Sequence, residues 1–209
     1  MGLTKRQVRE AHLRVACFLL IFIAVHFATH FISLAGIETH TAALNWARLL
    51  YQLPLIEIAL VTGFALQIVL GFKLLAAIRK RKVKGRWHWI QFLSACYLAY
   101  FIIQHTLAAL ITRLGIGLDT NFYWIAGTLT IEPIRYYFAV YYTLAVVALA
   151  CHLVAAMNFR SPRSWHGPAL AVGPLIGIAF VVGYGGVLKA VEVPQEYRDY
   201  YAIFPGVES

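Results

Sequence analysis

The chain has 209 residues, enough for one ordinary domain, but 61% of them are hydrophobic and only 13% are charged. Water-soluble domains usually carry about 45–50% apolar and 25% charged residues. A soluble enzyme, a disordered tail and a disulfide-stapled secreted module are thereby excluded, and the chain reads as an integral membrane protein. Its formal net charge of +9 would point to nucleic acid in a soluble protein. In a membrane chain the same excess marks cytoplasmic loops, and no nucleic-acid partner is expected.

In chain order, residues up to Arg14 are polar and basic, and the apolar run that follows is too long for a cleavable signal peptide. Five apolar runs of spanning length follow, at about 15–36, 50–78, 89–111, 136–157 and 168–188. Each has the roughly 20 residues that a helix needs to cross the hydrocarbon. The expected fold is therefore an all-α bundle of five transmembrane helices forming a single membrane domain over 1–209. Of the 18 Lys and Arg residues, 13 fall on one side if the N-terminus is inside. These include Lys5, Arg9, the run Arg79–Arg86, Arg160 and Arg163. The positive-inside rule then gives N-in, C-out. Cys17, Cys96 and Cys151 lie in apolar stretches without CxxC spacing and read as small residues buried in the membrane, not disulfides or metal ligands. The stretch between the third and fourth runs is expected to cap the bundle at the membrane surface. Tyr136, Tyr137, Tyr141 and Tyr142 are expected to form an interfacial belt. The glycines of the fifth run, Gly173 and Gly177 among them, read as close-packing positions.

Four histidines, His26, His30, His105 and His152, fall within the hydrocarbon span, where polar groups are costly and face a bundle interior or a cofactor. With a rise of about 1.5 Å per residue, His30 and His105 share one level outside the midplane. His26, one turn from His30, is the alternative ring at that level. His152 lies on the inner side, level with Gln67. Paired imidazoles facing each other across four helices hold a b-type haem; the absence of CxxCH excludes covalent attachment. Hydrogen bonds between helices are the plainer use of such rings. His12, His40, His88 and His166 read as interfacial. Glu57, the lone carboxylate within a predicted helix, is a candidate proton acceptor beside an outer quinone site, with Tyr51 and Gln52 at the same end; a protonated, hydrogen-bonded carboxyl is the alternative. The Arg79–Arg86 run reads as a solvated loop meeting anionic lipid, or as a docking surface for an acidic partner.

The stretches FLLIFIAVHFATHF, PLIEIALVTGFALQIVLGFKL, FIIQHTLAALITR, VVALACHLVAAMNF and GPLIGIAFVVGYGGVLKA together resemble the single-chain, five-helix, dihaem cytochrome b anchors of succinate dehydrogenases and fumarate reductases. The resemblance spans about residues 10–190. It implies a four-helix haem-binding core, with His30 (or His26) and His105 as the outer axial pair and His152 as the inner ligand of the fourth helix. The second-helix ligand falls at or near Gln67, and glutamine is a poor iron ligand. The inner haem is then missing, five-coordinate on His152, or differently held. The implied function is electron transfer between a membrane quinone and a succinate dehydrogenase/fumarate reductase-type complex, using one or two haems b. Flavoprotein and iron–sulfur subunits would dock on the cytoplasmic side of a prokaryotic inner membrane. The alternatives are a stand-alone b-type cytochrome of the same fold, acting as a sensor or quinol-linked reductase, and a cofactor-free structural or transport protein.

Overall fold

A capping box starts the first helix well before the apolar run. The Thr4 hydroxyl accepts from Gln7 N at 3.3 Å and Thr4 N donates to the Gln7 side chain at 2.8 Å, which satisfies the free donors of a first turn. Helix α1 therefore covers Lys5–Ile32, and its midpoint falls between Phe18 and Leu19, not near residue 25 as the apolar run implies. The computed structural model describes residues 4–79 and 85–207. Lys80, Arg81, Lys82 and Lys84 of the basic run lie outside the described residues.

After α1 come α2 (Ile37–Tyr51), α3 (Pro54–Arg79), α4 (Arg86–Leu110), α5 (Phe122–Thr130), α6 (Ile134–Arg160), α7 (His166–Ala169), α8 (Val172–Tyr184) and α9 (Gln195–Tyr201), with no strand among the described residues. Five stretches are long and apolar enough to cross a membrane: Lys5–Ala35, Pro54–Ala76, Arg86–Ile116, Ile134–Arg160 and His166–Tyr184. Their exposed side chains are apolar, as at Ile21, Ile58, Leu93 and Leu175. Such a surface needs lipid around it, because in water it would be one continuous apolar patch. The chain is thus a multi-pass membrane protein.

Three elements depart from the sequence reading. Gly36, at φ +109°, turns the chain into α2, a full helix where a short loop is expected. Pro54 then opens α3, a position where its missing N–H costs nothing, so Leu50 and Tyr51 belong to α2. Between the third and fourth spans, α5 is less a surface cap than a plug: Phe122, Trp124, Ala126 and Leu129 are all buried. Its N-terminus is capped by Asn121, whose side chain accepts from Tyr123 N at 2.9 Å. Nine residues cannot span a bilayer, so this apolar segment finds cover against α6, α8 and α9. The expected tyrosine belt is also divided. Tyr136 and Tyr137 are exposed, whereas Tyr141 is buried and its carbonyl accepts from the Tyr97 hydroxyl at 2.9 Å.

The five spans pack as a closed ring in chain order: α1 against α3, α3 against α4, α4 against α6, α6 against α8, and α8 back against α1. Short connections favour such neighbour packing. The ring leaves α1 facing α4 and α6 across the middle, and that opposition positions everything below. Its tightest seam is α6–α8. A Cβ on Gly173 would stand 2.9 Å from the Val147 Cα, and one on Gly177 would stand 3.0 Å from the Thr143 Cα. Backbone cannot yield as a side chain can, so Gly177→Leu is expected to cost about 2–3 kcal/mol. Thermal unfolding in detergent measures it; an unchanged midpoint would mean the seam is looser than described.

Candidate functional site

The ring encloses a cavity of about 1140 Å³, above the usual range of about 300–1,000 Å³ for a small-molecule site. Its walls are mostly apolar and come from all five spans. At one end, here the basic end, it is lined by Lys5, Arg9 and Arg160; at the other, capped by α2 and α5, by Gln52, Glu57 and Arg113.

The observed helix bounds reset the depth of each polar group. On α4 the midpoint is Leu98, so His105 lies seven residues toward the capped end. On α1 the residue at that level is His26, one turn deeper than His30, because the helix begins at Lys5. The rings of His26 and His105 indeed stand 6.0 Å apart, centre to centre, at 61°. Each is stacked on an aromatic ring one turn back in its own helix, Phe22 at 5.4 Å and Phe101 at 5.1 Å. This repeated Phe-x-x-x-His spacing holds the imidazoles by i,i+4 contact. Trp124 of the α5 plug closes over His105 at 6.3 Å.

His30 is turned elsewhere. Its Nε2 lies 3.0 Å from His26 Nε2, its Nδ1 lies 2.8 Å from the Tyr184 hydroxyl, and that hydroxyl lies 2.8 Å from His40 Nε2. A hydrogen-bonded chain thus runs from the cavity to α2. His40 is fully buried, not interfacial. Burial, with Arg48 adding to it, pushes its pKa down to about 4, so His40 is neutral at pH 7. In the unfolded chain it titrates near 6.5. Between those values the unfolded state binds more protons, so stability is expected to fall as pH drops from 6.5 toward 4. Replacing His40 by Gln, which still bonds Tyr184 but does not titrate, should weaken that pH dependence in detergent melts. An equally steep dependence in His40→Gln would assign it to other groups.

At the basic end, His152 lies five residues beyond the α6 midpoint Val147. The Gln91 side-chain nitrogen is 3.1 Å from both of its ring nitrogens, and Ser94 Oγ is 3.5 Å from Nδ1. The ring across from it belongs to His12 of α1, at 6.5 Å and 50°. Gln67 does not occupy that place. It falls at the middle of α3 and lines the cavity with its Oε1 buried and unpaired. One turn nearer the basic end, Gly71 leaves room for His12; a Cβ there would lie 3.6 Å from His12 Nε2. His12 reads as interfacial in the sequence because it precedes the apolar run. The signal that finds it is spacing: fourteen residues before His26, two heptads, it shares nearly the same face of α1.

Glu57 is neither free nor simply hydrogen-bonded. It forms an ion pair with Arg113, both side chains 25% exposed, at the capped end of the cavity. Arg48 clamps Asp119 with bonds of 2.7 and 3.3 Å, which ties α2 to the α5 approach. Burial raises the pKa of the neighbouring Tyr51 hydroxyl, so it stays a donor. His166 is also buried, 3.0 Å from Asn158, and serves the α6–α7 corner.

No family model, curated protein or solved structure matches this chain. Among the described residues no three His, Cys, Asp or Glu side chains converge as a metal site; the imidazoles come as facing pairs. Two imidazoles bound to opposite sides of one metal, with nitrogen–metal bonds of about 2.0 Å, hold their ring centres about 6 Å apart. A pair supplies only two donors, so a metal held there would need its remaining donors from a bound group such as a planar macrocycle. The cavity's apolar walls and size fit haem b.

Proposed function

We propose that this chain is a haem b membrane subunit carrying electrons between a membrane quinone and a succinate dehydrogenase/fumarate reductase-type complex. The observation that carries the reading is the His26–His105 pair, with ring centres 6.0 Å apart in an apolar cavity inside a membrane bundle. His26 and His105 would hold the haem, with Phe22, Phe101 and Trp124 keeping their rings in place and water out. Bound there, haem b supplies a one-electron carrier within the bilayer.

The chain's own residues handle binding and protons. A quinol entering at the capped end would meet Tyr51 and Gln52 as hydrogen-bond partners. Of the two protons it releases with its two electrons, one would pass to the Glu57 carboxylate, which Arg113 holds in position, and the other would leave by a second route. The His30–Tyr184–His40 chain offers a second proton route toward α2, as imidazole chains do in membrane proteins. The basic end, with Lys5, Arg6, Arg9, Arg160 and Arg163, would face the cytoplasm of a prokaryotic inner membrane, N-in and C-out. It would there dock the flavoprotein and iron–sulfur subunits.

Purification from native membranes in mild detergent tests this. The expected result is co-purification of flavin- and iron–sulfur-bearing subunits, with reduction of the haem by an added quinol. A haem-bearing chain that comes out alone and is inert to quinol would overturn the assignment in favour of a stand-alone cytochrome.

A further inference from the structure

We infer that α4 and α6 present a face that binds a second copy of this chain, closed by hydrogen bonds between Tyr100 and Tyr137 of the two copies. The inference is independent of what fills the cavity. Both side chains point away from it: Tyr100 is 44% and Tyr137 56% exposed, and neither lines the cavity wall. Tyr100 lies two residues from the α4 midpoint, about 3 Å of rise, so its ring cannot reach the headgroups. Tyr137 stands nearer the capped end, and the two hydroxyls meet at 3.1 Å. Their bond therefore lies in hydrocarbon, where no water supplies a further partner.

A phenol brings one O–H donor and an oxygen that also accepts. When one hydroxyl of the pair donates to the other, one O–H is left over and one oxygen still has room to accept. Neither hydroxyl has another partner among the described residues, and an unused donor in an apolar medium is costly. The neighbouring Tyr97 hydroxyl shows the usual solution, donating to the Tyr141 carbonyl at 2.9 Å. What completes the pair is a surface offering one donor and one acceptor at the same depth. A second copy offers both. Copies of the same topology are related by a two-fold axis along the membrane normal, which sets equal depths side by side. Each leftover O–H then donates to the open oxygen of the other copy, and the four hydroxyls close into a ring with no donor unused. The surrounding face is apolar and uncovered. Leu93 on α4 and Val140 and Leu144 on α6 are exposed, and only 6% of the α4 span is buried inside the chain, the least of the five.

The test is single-molecule photobleaching of the full chain, carrying one fluorophore at its C-terminus, in phosphatidylcholine vesicles of increasing lipid dilution. The wild type is expected to bleach in two steps. The double variant Tyr100→Phe/Tyr137→Phe keeps the rings but loses the bonds between copies, and should raise the dissociation constant about tenfold. Val140→Trp adds bulk at an exposed position of the same face and is expected to give single steps. Leu175→Trp, equally exposed on α8, should keep two. Circular dichroism of each variant reports that the bundle is folded. Single-step bleaching of the wild type would overturn the inference, and so would an unchanged dissociation constant in the double variant. Two steps that survive Val140→Trp would place the contact on another face and overturn it as well. So would a different membrane chain that co-purifies in place of the second copy and is lost in Val140→Trp.

Discussion

Replacing Tyr184 by Phe is expected to lower stability by about 2–4 kcal/mol, although it removes a single oxygen. That hydroxyl joins His30 Nδ1 and His40 Nε2, each at 2.8 Å, and Tyr184 and His40 are both 1% exposed. The ring would keep its packing against Phe122, so no cavity term enters. What changes is that two imidazole nitrogens lose their partner where water cannot replace it, and each such orphan costs about 1–3 kcal/mol. Unfolding of the purified variant in detergent, followed by circular dichroism, reads the difference directly. A loss within about 0.5 kcal/mol, the ordinary range for uneventful surface changes, would mean that the histidines find other partners and that the chain of bonds is incidental.

The second large effect concerns the haem proposed for the capped end. His105→Ala and His26→Ala are each expected to abolish its low-spin spectrum, because either change removes one of the two imidazoles that would hold it. His30→Gln should keep it, since His30 supports His26 and bonds Tyr184. The three variants separate the geometry from the depth argument read off the apolar run, which favours His30. Retention of the low-spin haem in His26→Ala, with loss in His30→Gln, would make His30 the ligand and reduce His26 to its neighbour.

The five spans were legible in the sequence because a bilayer demands about 20 apolar residues in a row and little else looks like that. The histidine levels were legible in kind but displaced by a turn or more. Depth was counted from apolar boundaries, and the Thr4–Gln7 capping box carries α1 ten residues beyond its boundary into polar sequence. That one extension moves the facing ring from His30 to His26 and brings His12 into the cavity. The same counting set Gln67 level with His152, whereas α3, opened by Pro54, places it mid-helix. The burial of α5 could not be read from local pattern. Its nine residues are too few to span and are covered through α6, α8 and the distant α9, whose Tyr201 hydroxyl donates to the Trp124 carbonyl. Likewise Glu57 looked isolated because its partner Arg113 is 56 residues away, beyond any local rule.

The most direct test of the account is a reduced-minus-oxidised absorption spectrum of the purified chain. It predicts a b-type α band and Soret shift, from a pigment that acid acetone extracts because no thioether holds it. A chain that is fully helical by circular dichroism, yet colourless after expression with ample haem, would contradict it and leave the facing histidines as hydrogen-bonding links between helices.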